Sequence, residues 1–322
     1  MDVELYSMGE ILVDLIPRGA GPPQESTPYE VHFGGAPANT AVAAAKLGHT
    51  AGFIGAVGND PLGEFLVSTL HGWRVDTSMV AVKQARTTLA FVLAGPGGGR
   101  SYFFYREPWA RTADTLLEPG DVDAGRVAES TALHYSGFSM SHPPLSQAVE
   151  YVVEEAARGG TVVSYDPTYR PDIWPSFQAA LEAHAWSLAH ASVVSLNLEE
   201  AEVFHGETRP AELASTLLDK HPQLLAVAVR MGARGAYAME RGGRHAYRPA
   251  PPVEVVDTTG AGDTWNAAFL VAYVLEAAPL EEALEFANAA ASLKCMRRGA
   301  AASPTREEVE EFISRARGAG GG

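Results

Sequence analysis

Asp257-Thr258-Thr259-Gly260-Ala261-Gly262-Asp263 follows the short apolar run 253–256 and leads into Thr264–Leu275, a stretch with helical character. Two glycines around an alanine let successive backbone N–H groups point into one concavity. At the positive end of a helix such a concavity attracts an anion. The aspartate at the helix start stands beside it, where a carboxylate can take the proton of a hydroxyl attacking phosphorus. The plainer alternative is a glycine-rich turn with Asp263 as a helix N-cap. No Gly-Lys-Ser/Thr follows the glycines, which excludes a P-loop.

Upstream of this junction, short apolar runs alternate with helical stretches. Ala132–Tyr135, Thr161–Tyr165, Ser192–Leu196 and Leu224–Val229 have the composition of buried parallel strands, and Leu145–Arg158 and Ala211–Leu218 are helical. The pattern predicts a doubly wound α/β core. Two earlier β-rich pieces, about 10–33 and 86–108, do not fit the alternation. They are expected to form a small inserted β-sheet, a lid over a site, with 87–93 and 100–105 as a hairpin around 95–99. One domain over 1–317 and a disordered tail at 318–322 complete the expected organisation.

The chain has 322 residues, 46% hydrophobic and 20% charged, which is ordinary globular composition. Its net charge of −15 disfavours nucleic acid and anionic membrane surfaces as partners. The single cysteine, Cys295, excludes an intrachain disulfide and fits a cytoplasmic setting. No apolar run approaches the roughly 20 residues of a membrane span.

With Gly34-Gly35-Ala36-Pro37-Ala38-Asn39 placed early and Asp257–Asp263 late, the sequence resembles the ribokinase-like, or PfkB-type, carbohydrate kinases over about 1–310. The resemblance implies an ATP-dependent kinase of a sugar hydroxyl, with Asp263 as catalytic base and Gly260, Ala261 and Gly262 as the anion hole for the γ-phosphate. It places Asp14, Gly34, Gly35 and Asn39 on the sugar. Asn197-Leu198-Glu199-Glu200 resembles the family's magnesium and phosphate motif, which implies Asn197 and Glu200 on the ATP and Glu200 acting on Mg2+ through water. Arg230-Met231-Gly232-Ala233-Arg234-Gly235 stands where relatives have Thr-Leu-Gly-x-x-Gly, so Arg230, Gly232 and Gly235 are expected on the ATP side, and Asn288 at the adenine. Asp257, Thr259, Gly299 and Ser303 match positions around a monovalent-cation site, which implies K+.

Asp166-Pro167-Thr168-Tyr169-Arg170, followed by Ile173-Trp174-Pro175, resembles a segment of fructokinases and 2-keto-3-deoxygluconate kinases in which Thr168 replaces the usual Asn, and implies Arg170 as a contact to phosphate or substrate. Fructose, giving fructose 6-phosphate, is the expected substrate. The alternatives are 2-keto-3-deoxygluconate, whose carboxylate would meet Arg106 and Arg170, another sugar of the PfkB-type kinases, or a non-catalytic sugar-binding relative. The intact Asp263 and anion hole argue against the last. A homodimer clasped through the lid is expected.

Overall fold

The computed structural model describes residues 2–18, 28–94 and 100–319. Along the chain the strands are β1 (Leu5–Met8), β2 (Leu12–Pro17), β3 (Tyr29–Gly34), β4 (Ala51–Gly58), β5 (Asp76–Lys83), β6 (Leu89–Ala94), β7 (Arg100–Tyr105), β8 (Ala132–Ser136), β9 (Val162–Asp166), β10 (Val193–Asn197), β11 (Ala226–Arg230), β12 (Ala236–Glu240) and β13 (His245–Arg248). The helices are α1 (Ala36–Lys46), α2 (Pro61–Gly72), α3 (Ala124–Ala128), α4 (Leu145–Gly159), α5 (Phe177–His190), α6 (Leu198–His205), α7 (Pro210–Lys220), α8 (Ala261–Leu270), α9 (Leu280–Cys295) and α10 (Arg306–Ala319).

Among the described residues, nine strands form one sheet in the order β13-β12-β11-β10-β9-β8-β1-β4-β5. It is parallel from β5 to β11 and antiparallel at the β11-β12-β13 edge. The two faces differ in side-chain size. Leu133, Tyr135, Val163, Tyr165, Val227 and Val229 pack with α4 and α7 on one face. Ala51, Ala132, Ala228, Ala236 and Ala238 meet α1, α8 and α9 on the other. Alanine on both sides of that second interface lets backbones approach closely, as the alanine-rich sequences of α1 and α9 require.

The expected doubly wound core and small inserted sheet are both present. Strands β3-β2-β6-β7 make the second sheet. Period-2 alternation turns Leu12, Asp14, Tyr102 and Phe104 toward a cavity over the core. The opposite face carries Val31, Phe91, Phe103 and Tyr105, with ring centroids 5.2 Å apart for Phe103 and Tyr105 and 5.8 Å for Phe91 and Tyr105. The hairpin turn expected at 95–99 lies outside the described residues. Helix α10 runs through Ala319, so it takes in the first two residues of the expected tail; 320–322 lie outside the described residues. No helix of the described residues is long and apolar enough to cross a membrane.

Candidate active site

The parallel strands end at one edge, and their last residues converge there. Ser136, Asp166, Asn197 and Arg230 close β8, β9, β10 and β11, with Ser136 opposite Asp166 and Asn197 opposite Arg230 in register. This carboxyl edge is where open α/β sheets hold ligands. A cavity of about 380 Å³ lies above it, roofed by Tyr102 and Phe104 of the small sheet.

The Asp257–Asp263 turn supplies one wall. Gly260 has φ +78°, and a Cβ there would stand 2.8 Å from Ala300 Cα, so only glycine fits. The turn opens α8, with Ala261 as its first residue and Asp263 as its third. Asp263 is therefore not the N-cap of the plainer reading. Its Oδ2 accepts a 2.8 Å hydrogen bond from Asn39 Nδ2 of α1. Burial pushes its carboxyl up to about 6, opposed by the Asn39 bond and by the Arg230 and Arg170 guanidiniums. Asn39 Oδ1 is buried with no protein partner, beside the cavity.

A charged cluster fills the strand ends. Arg230 Nη2 donates to Asp166 Oδ2 at 2.6 Å and lies 3.8 Å from Glu200 Oε2. Its Nη1 stands 2.5 Å from where a Gly262 Cβ would be, so the guanidinium lies against the Asp257–Asp263 turn and would have to swing aside for a side chain there. Burial would raise Asp166, but Arg230 and Asn266 Nδ2 hold it below the usual range. Burial and the Asp166 charge push Glu200 up to about 7. Asn197 and Glu200 form a reciprocal cap at the start of α6, with both bonds at 2.9 Å, and Glu200 also accepts from Tyr169 N at 3.0 Å. They are a helix cap and cavity wall at once.

On the opposite wall, Asp14, Gly35 and Arg170 line the cavity. Gly34 stands behind Asp14, with no room for a Cβ beside that carboxylate. Arg170 lies 5.5 Å over the Tyr102 ring and donates to its neighbour's carbonyl, Tyr169 O, at 2.8 Å. Tyr102 in turn donates to Thr259 Oγ1 at 3.3 Å, so the small sheet touches the Asp257–Asp263 turn. Thr168 has φ +41°, a conformation disfavoured for a β-branched residue, and its N–H and hydroxyl both donate to Asp166 Oδ1.

This constellation of a glycine turn opening a helix, an adjacent carboxylate and a sheet-roofed polar cavity has a known counterpart. The model of the pfkB family carbohydrate kinase matches residues 3–307. The chain belongs to this family. It is similar to Fructokinase-1 of Oryza sativa subsp. japonica, 34% identical over 321 residues, which cover 97% of this chain and 98% of the relative. It is also similar to the crystal structure of a fructokinase with bound ATP from Xylella fastidiosa, with a TM-score of 0.86, 26% identity and coverage of 98% and 100% of the two chains. A fructokinase from Vibrio cholerae O395, in its fructose, ADP and calcium ion bound form, matches with a TM-score of 0.85, 27% identity and coverage of 97% and 99%.

Not every expected residue of this carbohydrate kinase reaches the cavity. Arg106 is fully buried behind its wall, donating from Nε to Asp114 Oδ2 at 2.7 Å and from Nη1 to Ser141 Oγ at 2.9 Å, with its guanidinium 4.6 Å from the Phe138 ring. Its expected place on the substrate is corrected to an internal tie. Asn288 is also buried; it accepts from Trp265 Nε1 and donates to Arg248 O, both at 2.8 Å, so its amide serves the fold instead of facing a base. Gly232 and Gly235 form a tight turn after β11, outside the cavity lining.

Of the residues expected around potassium, Asp257 meets a different cation. Asp257 accepts from Thr259 N at 2.8 Å and Gly299 N at 2.9 Å, and Ser303 Oγ pairs with Thr264 Oγ1 at 2.8 Å. The fully buried Lys294 donates from Nζ to Asp257 O at 2.9 Å and Arg297 O at 3.2 Å. This arrangement does not fit a free potassium ion at Asp257 O, because an ammonium already holds that carbonyl.

Sequence reasoning passed over Glu10 as well. It lines the cavity, accepts from Ser136 Oγ at 2.6 Å, Ser139 Oγ at 2.5 Å and Ala36 N at 3.2 Å, and burial pushes it up to about 7. The available signal for both Glu10 and Lys294 was one charge inside an apolar stretch. Tyr102, Phe104 and Phe138, also cavity-lining, carried none beyond apolarity.

Proposed function

We propose that this kinase transfers the γ-phosphoryl group of ATP to fructose, giving fructose 6-phosphate. The observation that carries the reading is Asp263, a carboxylate held by Asn39 between the anion-hole amides and the wall bearing Asp14. Fructose is read through its hydroxyls by Asp14, Gly35 and Asn39. Asp263 takes the hydroxyl proton, the freed oxygen pair bonds to phosphorus, and the bond from phosphorus to the bridging oxygen breaks with its pair leaving on ADP. The amides of 260–262 stabilise the transferring group, the dominant contribution in such chemistry. Arg230, poised over Gly262, faces the same group.

Mg2+ supplies charge neutralisation on the phosphates. No group of three or more carboxylate, histidine or cysteine ligands is gathered among the described residues. That suits an ion carried on the nucleotide, which Asn197 and Glu200 meet through water. The name of the Oryza relative and the bound ATP, fructose and ADP of the two bacterial fructokinases support this reading. Fructose is favoured over a keto-deoxy acid because Arg106, one of the two arginines expected to meet a carboxylate, is tied to Asp114. The outward aromatic face of the small sheet supports a homodimer, and the composition supports the cytoplasm as its compartment.

ADP release measured with each sugar tests the assignment. The specificity constant is expected to be higher for fructose than for 2-keto-3-deoxygluconate, with little ATP hydrolysis when sugar is omitted. A preference for the acid would overturn the substrate and leave the kinase class standing.

A further inference from the structure

We infer that the ε-ammonium of Lys294 is a built-in monovalent cation beneath the anion hole, and that this kinase consequently works without potassium. The inference rests on the kinase reading and adds a positioning residue to it.

Lys294 lies in the last turn of α9, where unpaired helix carbonyls favour a positive charge. Its side chain is fully buried, and an ammonium so placed must find oxygen partners to replace water. It finds the carbonyls of Asp257 and Arg297, one from each of the two loops that meet at the anion hole. The Asp257 carboxylate ties the same loops a second time, through Thr259 N and Gly299 N. These loops touch directly below the phosphate site, where Gly260 lies against Ala300 with no room for a Cβ. On the far side of the later loop, Lys46 Nζ donates to Ala301 O at 2.9 Å and Ser303 O at 3.0 Å. Two ammonium groups thus hold the carbonyls around Asp257–Gly260 and Arg297–Ser303. A free cation drawing on the same oxygens would be repelled by the lysine charge already there. Lys294 acts through the shape of the loop and touches neither substrate.

The test compares wild type, Lys294→Ala and the bulkier Lys294→Met in potassium, sodium, ammonium and choline chlorides at equal ionic strength. Each is read by fructose phosphorylation and by melting temperature. Wild type is expected to show the same rate and the same melting temperature in potassium and choline. In choline the variants are expected to lose about tenfold or more in kcat, as when support is taken from an anion hole. Ammonium or potassium, but not choline, should restore part of the rate and raise the melting temperature of Lys294→Ala. Potassium activation of the wild type would overturn the inference, and that arm holds even if both variants fail to fold. A folded variant with full rate in choline would overturn it too, as would a loss that no cation repairs. If wild type phosphorylates no sugar, the kinase reading falls instead, and the melting temperatures alone decide whether Lys294 excludes potassium.

Discussion

Asp263 joins chemistry to stability in one carboxyl group. Burial raises it to about 6 from the usual range near 3.9, so in the folded protein it binds a proton more tightly than in the unfolded chain. The associated stability is fully present below the unfolded value and is lost as pH rises through about 6. At pH 7.5 the charged group therefore destabilises the fold, by as much as about 3 kcal/mol. Asp263→Asn should raise the melting temperature at pH 7.5, with the difference shrinking toward pH 4. It should also lower kcat about 100-fold or more while leaving fructose and ATP binding in place. A titration of kcat/KM in wild type should show an acid limb near pH 6; a flat profile from pH 5 to 8 would remove Asp263 as the base. That Asp263, its glycines and Asn39 belong together was legible because each has a fixed place in a short motif. Glu10 and Lys294 were not, since a buried charge becomes meaningful only once its most distant partners, 126 to 129 residues away for Glu10 and 37 for Lys294, are known. Thr168 shows the converse: a departure visible in sequence, standing where the backbone takes φ +41°, which asparagine tolerates better.

At the scale of elements, the buried parallel strands were readable from their apolar runs. Strand β5 was not, because Asp76–Lys83 is a half-polar edge strand, and the β12-β13 edge was hidden in a glycine-punctuated stretch. Arg106 was misplaced for a related reason. It follows directly on β7, a strand of the small sheet, and sequence alone cannot tell which way its side chain turns. In the fold it fastens the end of β7 to the core through Asp114, Ser141 and Phe138, and Phe138 lines the cavity. Arg106→Ala leaves Asp114 buried without its partner cation, which should cost about 3–5 kcal/mol. Urea unfolding checks the value. Loosening the roof should also raise the KM for fructose more than that for ATP. A variant as stable as wild type would mean that the ion pair is dispensable.

For the whole molecule, the small sheet has two faces with different work. Its inner face closes the cavity, and its outer face leaves Val31 51%, Phe103 48% and Tyr105 49% exposed. Apolar rows of this kind on a sheet mark association surfaces. Two copies meeting there would bury the aromatics and stiffen the roof together. Sedimentation of wild type should give a dimer, and Phe103→Glu with Tyr105→Glu should give monomers with a raised KM for fructose. A wild-type monomer would rule out this clasp.

The hydrogen bond between Asn39 and Asp263 also sets a clock. Its two ends are 224 residues apart in the chain. A ribosome adding about 5–20 residues per second leaves a gap of about 10–45 s between them. Throughout that interval the nascent chain already carries Asp14, Gly35 and Asn39 yet lacks Asp263, the proposed acceptor of the hydroxyl proton, and the Gly260–Gly262 turn proposed to hold the phosphate. On that proposal a half-made kinase can at most hold sugar, and turnover begins only with the last part of the fold.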